Sequence, residues 1–330
     1  MNKRILGSYK YAMLSLQVKR NLFRIIPFGM IWLVFSIIST TLFSCSPVLK
    51  NAKIKSLTAN YCEPNIQYDY SALNAAVQKF PGQDSILNSH LSKHDLLLSE
   101  ITRIAPHLAA YYEAKDTLTL LMCKQKITDR LLLTNTELEA IVAELDCNGE
   151  RIDQLASYVD DINRSRNTRL TVASVVVGAL TTVATVALKN DASTAAGVAG
   201  GLTSAGLGAL TINPKGKRVP ITFKRNLLKN IWNNDNADQA FPPAIWKILN
   251  EKAFSNSGDR SLTETIKNRW QQYEFNGKIS PADQTLFFDK GGLFTADDLH
   301  SLANMFNELQ ATIRSIQQDL RSLGLKVNSL

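Results

Sequence analysis

His90 and His94 are the side chains best spaced for metal chemistry. Four residues apart on a helix, they would present two imidazoles from one face. A zinc site needs more: no third ligand, HExxH pattern or adjacent base accompanies them, so solvated helix histidines are the simpler reading. The cysteines show no CxxC and no Cys/His spacing that suggests zinc. Gly216-Lys217 lacks the preceding glycine and the following Ser/Thr of a phosphate loop. No Ser/His/Asp set or cluster of carboxylates stands out. The reading is therefore a non-enzymatic protein with no cofactor and no metal. The enzyme alternative would require a polar pocket built from the Trp232–Trp270 region.

A different physical chemistry is concentrated between Leu170 and Ile212. Two uncharged runs, Leu170–Leu188 and Ala192–Ile212, are separated only by Lys189, Asn190 and Asp191. In the second run Ala196, Gly200, Ser204 and Gly208 form one four-residue row, and Gly197, Gly201, Ala205 and Ala209 form the next. Such rows lie on one helix face, where small side chains admit a neighbouring backbone. A helical hairpin follows, packed tightly against itself, a partner or lipid, with Gly178, Gly197, Gly200, Gly201 and Gly208 as its packing or membrane-facing positions. Nineteen residues make ~28 Å of helix, close to a bilayer core. Against a transmembrane span stand Thr171, Ser174, Thr181, Thr182 and Thr185, which moderate the hydropathy of the first run.

Arg164, Arg166 and Arg169 precede the hairpin, and Lys215, Lys217, Arg218, Lys224 and Arg225 follow it. With both open ends positive and outside, a permanent inner-membrane hairpin would oppose the positive-inside rule. A base resting on anionic headgroups would not, so Arg164, Arg166, Arg169, Lys215, Lys217 and Arg218 are the candidate anionic-lipid contacts. The alternative is a soluble bundle in which these are solvated charges.

These segments must be held by helices. Ile127, Leu131, Leu138, Ile141, Leu145, Ile152, Leu155, Val159 and Ile162 follow a heptad seam, with Thr134 and Asn148 as polar members. The phase survives Asn148-Gly149, which predicts one continuous helix from Ile127 to Ile162. A second seam (Leu299, Leu302, Phe306, Leu309, Ile313, Ile316, Leu320, Leu323, Val327) follows the cap Thr295-Ala-Asp-Asp298. Antiparallel pairing of the seams within one chain is the economical reading, and intermolecular pairing stays open. Ser85–Ile104 reads as one helix, with another near Tyr70–Phe80. Between the hairpin and the last helix, Val219–Phe223 reads as a short strand, Ala244–Lys252 as a helix behind Pro242-Pro243, and Ser261–Tyr273 as a helix opened by a Ser261/Glu264 capping box. The tryptophans of that region read as core. The fold class is mainly α: an elongated helical bundle or coiled coil with a central Gly/Ala-rich hairpin and a small mixed subdomain.

The formal charge of +8 includes six cations in the first 44 residues, which hold no acid, leaving about +2 for the rest. Nucleic acid is therefore not an expected partner. These cations precede an apolar run from Ile25 to Phe43, the order of a secretory signal. The sequence Leu42-Phe43-Ser44-Cys45 resembles the lipobox of bacterial lipoproteins. The resemblance implies cleavage before Cys45, diacylglycerol on its sulfur and acylation (palmitate class) of the new N-terminus. Ser46 after the cysteine implies forwarding to the outer membrane. Pro47-Val48-Leu49-Lys50-Asn51 lacks the acidic cluster of a surface-export signal, so a periplasm-facing outer-membrane lipoprotein is expected. Cys62, Cys123 and Cys147 then remain. An odd number permits one disulfide and a spare thiol: Cys123 and Cys147 lie ~36 Å apart if one helix joins them, Cys62–Cys123 is sterically open but unsupported, and buried free thiols are the simplest expectation.

The expected division is a signal peptide (1–44), a lipidated tether (45–65), a helical region (66–169), the hairpin (170–212), an aromatic-cored subdomain (213–295) and the last helix (296–330). The expected role is a coiled-coil scaffold or interaction module of the cell envelope. It is bound to membrane through its lipid and to an envelope partner or itself through heptad helices. As an alternative, heptad helices on both sides of an apolar hairpin look like the layout of cytolysin A-type pore-forming toxins, which implies a hairpin that enters a membrane.

Overall fold

The computed structural model describes residues 48–66, 69–70, 82–188, 191–211 and 216–330. The signal region, Cys45, Lys215 and most of the helix expected near Tyr70–Phe80 lie outside the described residues. Among those described, the chain is mainly α, with one two-stranded sheet. It divides into two units. One comprises Leu49–Tyr158 and Arg218–Leu330; the other contains Val159–Lys217.

In the first unit, α1 (Ala52–Thr58) starts at Asn51, whose side chain accepts from the Ile54 N–H. Ser85–Ile104, expected as one helix, is two: α2 (Gln83–His90) and α3 (Lys93–Ile101). Leu91 is extended, and Ser92 restarts the chain by accepting from the Asp95 N–H. The hydrophobic spacing carries across this break; the Ser92 cap outweighs it locally. Pro106 lies in the first turn of α4 (Ala105–Glu113), where its missing N–H costs little.

The helix α5 (Thr117–Ala187) continues well beyond both ends of the predicted Ile127–Ile162 segment and into the first hairpin arm. Its seam positions Ile127, Thr134, Leu138, Ile141, Leu145, Asn148, Ile152, Leu155 and Val159 are buried. Over 139–153 this helix lies against α11 (Ala296–Asn328), on which every predicted seam residue is buried. The direction of pairing is read from polar contacts along its edge: Asp153 with His300 at 3.4 Å, Asp146 with Gln310 at 2.7 Å, and Glu139 with Gln317. One number falls as the other rises, so the helices run antiparallel within the chain. Gly149 lets them close up, because a Cβ there would overlap the Asn307 side chain. Asn148 donates to the Glu144 carbonyl and accepts from Arg151, whose guanidinium also reaches the Thr58 carbonyl. That buried set ties α1 to α5.

The cysteine expectation is corrected. Cys62 and Cys147 form a disulfide, with Cα atoms 5.6 Å apart, and among the described residues Cys123 is the buried free thiol. The tether segment around Cys62 shows no periodicity, so nothing in its pattern brings it beside α5. The fold does so through Asn51, Thr58 and Arg151.

The strand β1 (Val219–Thr222) pairs antiparallel with β2 (Gly291–Phe294), which the Gly291-Gly292 pair disguises in sequence. Gly291 has φ +87° and would meet the Ile221 carbonyl if it carried a Cβ, so glycine is required at this turn into the sheet. Between the strands run α7 (Leu227–Asn233), α8 (Pro243–Asn250), α9 (Leu262–Arg269), opened by the expected Ser261/Glu264 capping box, and α10 (Pro281–Phe288). A π-helical turn, Trp270–Glu274, extends α9 to about the predicted end. Trp232 stacks on Phe288 with centroids 4.4 Å apart, and Trp270, wholly buried, stacks on the same ring. These aromatics are core.

Candidate membrane-contact hairpin

The second unit is a helical hairpin: the C-terminal part of α5, then α6 (Asp191–Thr211). Val, Thr and Gly, frequent in the two arms, favour helix only weakly, so side-chain complementarity between the arms must help hold them together. The row containing Gly200 faces the first arm. A Cβ on Gly200 would overlap the Thr181 hydroxyl and methyl, and one on Gly197 would lie 3.2 Å from Thr185 Cγ2. A Cβ on Gly178 would lie 3.6 Å from Ser204 Oγ and one on Gly208 3.9 Å from Ser174 Oγ, ordinary contact distances. Gly201 has open space around its Cα, so of the five predicted glycines it alone takes no part in closing the hairpin.

Hydroxyl groups bond across the inner face and back onto their own helices. Ser174 Oγ donates to the Ser204 carbonyl and Ser204 Oγ to the Ser174 carbonyl, each at 3.0 Å. Ser193 Oγ donates to the Thr185 carbonyl at 2.8 Å. Thr181, Thr182 and Thr203 donate to the carbonyls of Val177, Gly178 and Ala199 one turn earlier. A hydroxyl that bonds its own helix or the facing one brings no unmet donor into an apolar medium. The moderate hydropathy of the first run is thus no barrier to burial.

The outer face has the opposite character. Val175, Leu180, Val183 and Val186 are 66%, 64%, 65% and 84% exposed, and Val172, Val176, Val198 and Leu202 join them. α6 has no buried residue. An 18-residue window of α5 reaches a mean hydropathy of 2.0 with none of it buried. Among the described residues, α5 is the one helix long and apolar enough to cross a membrane.

Polar groups mark where this surface ends. Arg164 and Arg169 are exposed and Arg166 is half-buried on α5. Asn163 accepts from the Lys217 N–H at 2.8 Å and packs on Gly216, which fastens the returning chain to α5. Arg218 belongs to the other unit. Asn163, Arg164, Asn167, Thr168 and Thr171 line an open hollow of about 570 Å³ that ends at Val172.

The two histidines are separated by the break at Leu91. His90 stacks on Tyr112 at 3.9 Å, and His94 lies 3.3 Å from Asp319 and edge-on to Phe254. Among the described residues no group of three His, Cys, Asp or Glu side chains is placed to hold a metal. Compared with protein-family models, curated proteins and solved structures, the chain finds no significant match.

Proposed function

We propose that this protein is a non-enzymatic cell-envelope lipoprotein. In this reading the disulfide-stapled helical unit is a scaffold and interaction module, and the Gly/Ala hairpin is the element that enters a bilayer. One observation carries the reading: the hairpin is closed inside by small residues and self-bonded hydroxyls, and bare outside with a continuous set of exposed valines and leucines. Water solvates such a face at a cost of about 25 cal/mol for each Å² of apolar surface. Hydrocarbon removes that cost without demanding any further hydrogen bond. Arg164 and Arg169, with the polar hollow beside them, stand where headgroup phosphates would meet a hairpin lying in the acyl layer.

The anchor supports the same setting. The diacylglycerol and N-acyl group that the lipobox resemblance implies for Cys45 would anchor the chain stably at a membrane and keep the hairpin near a bilayer. The Cys62–Cys147 disulfide suits an oxidising compartment such as the periplasm. An outer-membrane lipoprotein facing the periplasm meets both conditions, with an envelope protein as the partner of the helical unit.

Flotation tests this function. The chain from Ser46 onward, lacking the acylated cysteine, is mixed with vesicles containing phosphatidylglycerol and spun through a density gradient. Co-flotation that disappears in Val176→Asp/Val183→Asp supports the hairpin as a membrane element. Failure of the unmutated chain to float contradicts it. Release of trapped dye on binding would add perforation to the function; binding without release would limit it to attachment.

A further inference from the structure

The helical unit contains a cavity of about 390 Å³ between the Cys62 segment and α5. Its walls are mostly apolar, with Tyr61, Pro64, Tyr70, Leu133, Ile141 and Pro242 among them, and the Cys62–Cys147 disulfide forms part of its boundary. Two carboxylates of α5 reach the cavity, Glu137 and Glu144. Seven residues apart, they lie on one helix face two turns from each other.

Their situations differ. Glu144 is buried and accepts from Arg225 Nε at 2.8 Å, while the same guanidinium donates to the Ala240 carbonyl. That charge is neutralised and its neutraliser is used up. Glu137 is half-buried, and among the described residues it makes no hydrogen bond or ion pair. The cavity therefore presents against apolar walls one carboxylate that makes no hydrogen bond or ion pair among the described residues and feels Arg130 only through space. A neutral apolar guest would desolvate that carboxylate with nothing in return, and an anionic guest would be repelled. A cation with an apolar body would cover the walls and pair the charge, and the rings of Tyr61 and Tyr70 would add cation–π attraction.

We propose that this cavity binds a small organic amine, with its ammonium on Glu137 and its apolar body against Tyr61, Tyr70 and Leu133. The volume lies near the lower end for ligand pockets, which fits a compact molecule rather than a peptide. Burial pushes the Glu137 carboxyl up to about 7, opposed by the charge of Arg130. The other titratable groups around the cavity are Tyr61, Tyr70, Glu144 and Arg225. An amine needs the charged carboxylate, so binding weakens as pH falls through about 7.

The test is calorimetry on the purified full chain with its disulfide intact, using phenethylamine and hexylamine as probes and phenethyl alcohol and hexanoate as controls. The amines are expected to bind more tightly than either control at about pH 8. Lowering the pH to about 5.5 should weaken them about tenfold, the factor expected when a charged partner is lost. Glu137→Gln should cause a similar loss without lowering thermal stability at pH 8. Equal affinity for amine and alcohol, absence of amine binding, or unchanged amine affinity in Glu137→Gln would each overturn the proposal. If the variant fails to fold, the amine-to-alcohol comparison and the pH series on the unmutated chain decide.

Discussion

Gly200 shows how a single missing Cβ sets the geometry of the hairpin. Any larger side chain there must displace Thr181, whereas Gly201, one position along, faces open space. Gly200→Val should therefore separate the arms and destabilise the hairpin by about 1–3 kcal/mol, the usual cost of overpacking, with Gly201→Val close to neutral. Amide hydrogen exchange across 170–211 measures the difference. The small-residue period identified both rows but not which of their members meet the other arm (Gly200 and Gly197 but not Gly201), because that depends on the rotation of α6 about its axis. Glu137 gives a second residue-scale test. A carboxyl raised from 4.5 to about 7 in the folded state contributes stability fully present below the unfolded value and lost as pH rises through about 7. Glu137→Gln should remove that dependence and leave the protein more stable at pH 8 by about 1–3 kcal/mol, read from urea unfolding at several pH values. Glu137 was not legible as special in the sequence. It looks like other flanking acids of the seam until the Cys62 segment is laid over it.

At the scale of elements, the seams were the most legible feature, since nine apolar positions at heptad spacing on each helix leave few other ways to bury them. The break between α2 and α3 was less so: it rests on a single serine cap, Ser92, within an otherwise continuous apolar stripe. The strand β2 was missed because its glycines serve a close backbone approach, which pattern alone does not reveal. The disulfide was equally hidden, since its pairing is a consequence of tertiary docking. Its loop of 85 residues predicts a substantial effect: chain-entropy reasoning gives about 4–5 kcal/mol, and native-state effects commonly reduce such values to about 2–4. The double variant Cys62→Ser/Cys147→Ser should lose stability in that range by denaturant unfolding. Cys123→Ser removes no crosslink and should cost far less.

On the scale of the whole molecule, composition and the signal region pointed to an envelope address, and the described residues add a disulfide that such an address can maintain. The basic isoelectric point carries little weight once the six N-terminal cations are set aside. Metabolic labelling with palmitate in a bacterial host should mark the chain, and Cys45→Ser should abolish the label; labelling that survives this change would remove the lipoprotein reading. The central claim is that the outer face of the hairpin lies in hydrocarbon. The most direct measurement places a fluorophore on Val183→Cys, in a chain whose Cys123 is serine, and adds vesicles with nitroxide-labelled acyl chains. Blue-shifted emission and strong quenching at Val183, with little of either at Arg164→Cys, is the expected result. Emission from Val183 that stays water-like and unquenched beside the same vesicles would contradict it.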